Sequence, residues 1–426
     1  MERTRTQNET GSLTSRKSFR KSSIRRAAIR VAGILTAGLM GVGSMLGGPI
    51  FNVVDLGTLG GSSSQAFGEN ASGVAAGSAT TQFGYTHATS SSGAGLVDLT
   101  LNSTASEGSA AAINGAGTIA GTQFINGQAY ASLWSNGEAQ TIGGAGSYAM
   151  AINDAGQIAG MFPTAGGQGH AFVTSGGSLV DMGTLAGGNW SSAYGINNSG
   201  EVAGYGNIAS GAFRGFTWTQ GGGYSQLGTF GGANSYAMAI NDLGVAAGSA
   251  QTAGGWMNAF ITDGSQLMDL GTLGGMSSYA YGINDQGEVV GYSSLSGTGE
   301  TDAFLYENGV MIDLNSLIDA PGWVLAQAYA INSSGEIVGS GMLDGVEHAF
   351  LLDYTAGYGH ASPGLSTQSD STNTNAVPEP ATLGMFGAGL FALLLAAGPK
   401  ARFAARLRPL REDRPRALPR SRVSPR

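Results

Sequence analysis

Between residues 51 and 354 the chain is a succession of short apolar runs, each cut off by Gly, Asn or Ser. Runs of roughly four to eight residues bounded by such turn formers read as strands, whereas a helix needs about ten or more. One run returns in degenerate form as A-x-(A/G)-I-N-x-x-G-x-(V/I)-x-G, best kept at Ala193–Gly204 and Ala280–Gly291. Its asparagines are Asn70, Asn114, Asn153, Asn197, Asn241, Asn284 and Asn332, seven copies spaced by 44, 39, 44, 44, 43 and 48 residues. In N-x-x-G, Asn and Gly tolerate the positive φ of a tight turn, so each copy predicts a hairpin.

Two further patterns keep step with the first. An x-A-F-like strand follows each asparagine, clearest at His170–Phe172, Asn258–Phe260, Asp302–Phe304 and His348–Phe350. A strand of the form L-x-D-L-G-T-L-G-G follows that one, clearest at Leu267–Gly275. Each copy then holds four strands, the size of a propeller blade, and the predicted fold is an all-β, seven-bladed β-propeller over residues 51–354. The last copy enters a polar segment without its D-L-G strand, and an unassigned one stands at Phe51–Leu56. That N-terminal strand is expected to complete the seventh blade and close the ring, which removes exposed sheet edges. Strict alternation would put Tyr148, Met150 and Ile152 on one face of the innermost strand and Ala149, Ala151 and Asn153 on the other. A solenoid is the alternative, but the uneven spacing suits blades with variable loops better than stacked rungs.

These pieces resemble the HAF-repeat family of bacterial extracellular proteins, which takes its name from the His-Ala-Phe found here at residues 170–172 and 348–350. The resemblance spans roughly Phe51 to Tyr354 and implies a location outside the cell more than a chemistry.

Charge divides the chain into three. Nine of its 20 basic residues lie in residues 1–30 and ten in residues 400–426, so Arg214 alone faces 24 acids between Val31 and Pro399, a formal −23. Such a body repels phosphate, which excludes nucleic acid as a partner. The basic start followed by the glycine-thinned apolar run Val31–Gly48 has the form of an export signal, predicted to be helical and to occupy residues 1–48; Arg25-Arg26 hints at twin-arginine export. After a Ser/Thr-rich linker, 355–376, the chain reads Val377-Pro378-Glu379-Pro380, then the uncharged Ala381–Gly398, then Lys400, Arg402, Arg406 and Arg408. An apolar stretch with positive charge on its far side predicts a transmembrane helix at 381–398. A basic Arg/Pro-rich tail fills 409–426. The order of motif, apolar helix and arginine cluster over 377–408 resembles the PEP-CTERM sorting signal of Gram-negative bacteria. The resemblance implies recognition by an exosortase-type membrane peptidase, transient anchoring in the inner membrane, and release to the cell surface or exopolysaccharide matrix.

Chemistry is sparse by comparison. With no cysteine, disulfide scaffolds, zinc ribbons and thiol catalysis are excluded. His87, His170 and His348 occupy equivalent repeat positions and so stand apart around a ring; the slot is also filled by Tyr130, Arg214, Asn258 and Asp302, as a solvent-facing strand position would be. Asp154, Asp242 and Asp285 follow turn asparagines, where Asx bonding accounts for them; calcium is the alternative, without a D-x-D-x-D-G loop to support it. The sequence therefore predicts no catalytic residues, no metal and no cofactor. The expected function is a non-enzymatic surface or matrix protein. The alternatives are a carbohydrate-binding propeller and a secreted polysaccharide hydrolase or lyase, whose carboxylate pair would be spatial rather than sequential. Candidate glycan contacts are Trp190, Ser191, Asn234 and Ser277 in the loops entering the innermost strands, beside Tyr148, Tyr194, Tyr236 and Tyr279. Aromatic and small polar groups there suit sugar stacking and hydroxyl bonding, while packing of the tyrosines between blades is the competing role.

Overall fold

The computed structural model describes residues 50–354, apart from 93, 94, 102, 265 and 298. The predicted export signal (1–48), linker, Val377–Pro380 motif, helix 381–398, basic cluster and tail lie outside the described residues. Among the described residues the chain is all-β, with one 3-10 turn at Leu314–Leu317, and no helix is long and apolar enough to cross a membrane.

The repeat copies become antiparallel four-stranded meanders. The third copy is typical, with neighbours Tyr148–Ile152, Ile158–Pro163, Gly169–Ser175 and Ser178–Gly183 in sequence order. Five copies form separate four-stranded sheets, and the first and last are joined into one eight-stranded sheet. In that sheet Phe51–Gly57 pairs antiparallel with Val346–Tyr354, from Phe51↔Tyr354 to Gly57↔Ala349. A single parallel bridge, Ser63↔Glu347, links this last sheet to the first copy's strand Gly60–Glu69.

The repeated asparagines tie neighbouring copies together. In each turn the asparagine Oδ1 accepts a backbone N–H four residues on, as Glu201 N does to Asn197 at 2.9 Å. The glycine three residues on donates to the asparagine carbonyl, with φ of 78° at Gly200. The Nδ2 then reaches the next copy's asparagine carbonyl: Asn70 to Asn114 at 3.3 Å, on through Asn153, Asn197, Asn241 and Asn284, and from Asn332 back to Asn70 at 3.4 Å. The series returns to its start, and all seven side chains are buried. Buried amides demand partners, and here each copy satisfies its neighbour.

A second tie is a serine at the head of the innermost strand. Ser191 Oγ donates to the Gly183 carbonyl at 2.5 Å and accepts the Ala171 N–H of the preceding sheet at 2.8 Å. Ser64 does the same across the junction of last and first copies, with Gly57 at 2.6 Å and Ala349 at 2.8 Å.

Strict alternation along the innermost strand does not hold. Every such strand carries a register shift, between Ala149 and Ala151 in the third copy and between Ala110 and Ala112 in the second. A bulge inserts one residue and resets the faces. Ile113 therefore packs with Ala110, three residues back, against Ala76 and Ala88 of the preceding sheet. The residues three before the turn asparagines, Phe67, Ala111, Met150, Tyr194, Met238, Tyr281 and Tyr329, one per copy, all belong to a single buried cluster. Within this layer rings of neighbouring innermost strands meet, Phe67 lying 5.3 Å from Tyr329 and Tyr329 5.8 Å from Tyr281 between centroids.

One position breaks the rule. Six copies place isoleucine before the turn asparagine; the first places Glu69, fully buried, with neither carboxylate oxygen hydrogen-bonded. Burial, and then the neighbouring Glu336 carboxylate, push its carboxyl well above the usual range, and the nearby Asn332 N–H opposes this only in part.

Candidate functional site

Two adjoining concavities lie where the innermost strands begin, and Tyr148 lines both. The first is a groove of about 520 Å³ across the third to fifth copies. Its aromatic wall is Trp190, Tyr205, Phe213 and Tyr236, and its lining contains no charged side chain. The rings fix each other: Trp190 lies 5.4 Å from Tyr205 and 5.9 Å from Phe213 between centroids, and Tyr236 lies 4.8 Å edge-on from Tyr205. Behind them Tyr194 stacks on Tyr205 at 5.0 Å, their hydroxyls 3.0 Å apart. Burial pushes both phenols up, Tyr205 the further because Tyr194 lies beside it, so both stay protonated at neutral pH.

Local backbone positions Trp190. Its N–H and that of Asn189 both donate to Asn207 Oδ1, at 2.8 and 2.9 Å, and Asn207 Nδ2 donates to Asn189 Oδ1 at 2.6 Å. Opposite stands Gly169, where an added Cβ would fall 2.7 Å from the indole Nε1. Only glycine lets the ring lie across the groove there. Trp190 keeps partial exposure, with Gln168 and Asn189 exposed at the rim.

The second concavity, about 390 Å³, lies over the first, second, third and last copies. The first, second and last copies carry Gln65, Ser109 and Gln327 at the strand position where the third, fifth and sixth have Tyr148, Tyr236 and Tyr279, and the smaller or polar side chains leave room there. Its walls include Glu107 and Glu347, both half-buried, and part of its floor is Tyr329. Gln65 Nε2 donates to Glu347 Oε1 at 2.7 Å, and the Tyr329 hydroxyl donates to Gln327 Oε1.

The four candidate glycan contacts divide. Trp190 forms a wall of the groove. Ser191, adjacent in sequence, is buried, its hydroxyl held between two backbone groups of the preceding sheet. Asn234 is half-buried, its Oδ1 accepting the Phe213 N–H at 3.0 Å and so steadying one wall. Ser277 Oγ accepts the Met257 N–H at 3.3 Å and lines neither concavity. The histidines stay apart, each on an aspartate of the D-L-G strand in its own sheet: His87–Asp98 at 2.7 Å, His170–Asp181 at 3.0 Å and His348–Asp55 at 2.8 Å. Asn258 and Asp302 repeat the pairing with Asp269 and Asp313. Asp154 and Asp242 accept N–H groups of the preceding copy, Gly115 and Asn198, both at 2.8 Å. Among the described residues no group of three or more His, Asp or Glu could hold a metal ion.

Tyr205, Phe213, Gln65, Gln327 and Glu347 escaped the sequence reading. A signal existed, because Phe213 and Glu347 occupy the slot before the x-A-F strand, where other copies carry Thr86, Ala129, Gly169, Met257 and Thr301. A position free to vary so widely is not fixed by the repeat.

No family model matches the sequence, and no curated protein does. Among solved structures the chain is similar to TolB from Acinetobacter baumannii, at 14% identity and TM-score 0.39, over 55% of this chain and 63% of that one. It is similar to the BP39L lectin from Burkholderia pseudomallei, at 10% identity and TM-score 0.37, over 73% of this chain and 97% of that one. It is also similar to a gluconolactonase, XC5397 from Xanthomonas campestris, at 10% identity and TM-score 0.34, over 56% and 83%. The chain thus spans under two thirds of the length of the first of these.

Proposed function

We propose that the chain is a closed seven-bladed β-propeller, a non-enzymatic protein of the cell surface or exopolysaccharide matrix that binds glycan through the Trp190 groove. The asparagine series that returns to Asn70, and the pairing of Phe51–Gly57 with the last sheet, support seven blades closed by the N-terminal strand. The basic and apolar ends support export and exosortase sorting.

The groove carries the glycan reading. It presents aromatic rings braced from behind, exposed amides at the rim and an uncharged lining, the combination that stacks on a pyranose face and bonds its hydroxyls. Half-exposed rings held at fixed angles lose little conformational freedom on binding.

A glycan array probed with the full chain, followed by calorimetry on the best oligosaccharide, tests this. Saturable binding is expected, reduced at least tenfold in Trp190→Ala; a stacked ring contributes roughly 1.5 kcal/mol or more. Binding that Trp190→Ala leaves intact would remove the groove from the function. Release of reducing ends from the bound polysaccharide would favour a hydrolase. For the sorting, intact-mass measurement of surface-extracted protein should find the chain shortened near Val377–Pro380, and a mature species retaining 381–426 would refute it.

A further inference from the structure

We propose, on the footing of the glycan reading, that the concavity beside the groove receives a protonated amine, so that the favoured ligand is a polymer of hexosamine with free amino groups. Three observations converge on that chemistry.

The concavity and the groove share Tyr148, so a sugar chain stacked on Trp190 can continue into the neighbouring space. About 390 Å³ lies within the roughly 300–1,000 Å³ of small-molecule sites. The walls then carry the two carboxylates absent from the groove, Glu107 and Glu347, with Glu347 held in place by Gln65 at 2.7 Å. Hydroxyls of Ser109 and Thr122 stand among them as further acceptors.

No basic side chain lines either concavity. The one arginine of the body, Arg214, directs its guanidinium to the backbone carbonyls of Phe213 and Ala233. The body's formal −23 adds a long-range field that draws cations and repels uronate. A neutral sugar would leave the half-buried carboxylates without a cation, whereas an ammonium gives each a charge-assisted hydrogen bond. An N-acetylated residue lacks that charge.

The test compares four probes on the full chain by calorimetry: glucosamine hexamer, its fully N-acetylated counterpart, cellohexaose and an oligogalacturonate of equal length. The free-amine hexamer is expected to bind about tenfold more tightly than the acetylated one, with the galacturonate weakest. Glu107→Gln/Glu347→Gln should abolish that preference, bringing the free-amine and acetylated hexamers to within about twofold of each other. Equal affinity for free and acetylated hexamers would overturn the amine site and leave the glycan reading standing. Free-amine binding that persists in both Trp190→Ala and the double glutamine variant would reduce it to diffuse attraction by an acidic surface. Failure of every probe to bind would defeat both readings together.

Discussion

Replacing Glu69 with isoleucine should stabilise the protein, and the gain should grow with pH. The site is the boundary between the last and first copies, where six equivalent positions carry isoleucine against the preceding sheet. A fully buried carboxyl with no hydrogen bond forfeits about 1–3 kcal/mol even when protonated. Isoleucine restores apolar burial worth roughly 1.5–3 kcal/mol. Allowing for imperfect fit, Glu69→Ile should gain about 2–4 kcal/mol in acid, where the carboxyl is protonated folded and unfolded alike, a rise of roughly 5 °C in Tm for a body of this size. The pH dependence follows from the direction of the shift. Because the folded carboxyl holds its proton above the unfolded one, its contribution is fully present in acid and is lost as pH rises toward the folded value. Across that window the wild type should lose about 1.4 kcal/mol per pH unit relative to Glu69→Ile. Urea unfolding followed by tryptophan fluorescence, from the ordinary carboxyl range upward, measures both. Glu69→Gln separates the terms, since it removes the charge and keeps an unsatisfied polar group. A pH-independent gap between wild type and Glu69→Ile, or a destabilised Glu69→Ile, would refute the placement of Glu69 as a buried, partnerless acid.

Asn197→Ala removes the bond to the Asn241 carbonyl at 3.0 Å and the turn bond from Glu201 N at 2.9 Å, and should cost about 2–3 kcal/mol in urea unfolding. The Asp302 carboxyl is pushed up to about 6, first by desolvation and then by Asp313, so its contribution is lost as pH rises through that value. Asp302→Asn, which copies the Asn258–Asp269 pairing at 2.9 and 3.0 Å, should therefore raise Tm over wild type above about pH 6 and not in acid.

Much of the fold was legible because the sequence states it seven times. Asn70 to Asn332 recur because a buried amide linking adjacent copies tolerates no substitute of equal length and bonding capacity, and the glycine three residues on recurs because its φ is positive. The unmatched D-L-G run at Phe51 pointed to its partner strand through arithmetic alone. The bulge was invisible for a physical reason: an alternating pattern records which residues are small, not where one extra residue is inserted, and Ala149-Met150-Ala151 reads the same with or without it.

The site was less legible, and the repeat explains why. A serine heading an innermost strand looks like a surface hydroxyl, yet Ser64 and Ser191 are ties between sheets. Recurrence across copies was the mark of a structural part, and Ser147, Ser235 and Ser278 share it. The groove instead uses residues that few copies share: Trp190, Tyr205, matched by Tyr292 alone against Ser78, Thr122, Met161, Ser249 and Ser340 at the same strand position, and Phe213 against Gly169. Gly169 is itself part of the construction, because the slot that holds Phe213 on one wall must be empty on the other for the indole to lie between them. If the groove binds glycan as proposed, recognition would rest on positions that vary from copy to copy, and Glu347, against Thr86 and Gly169 in the same slot, is such a position beside the neighbouring concavity.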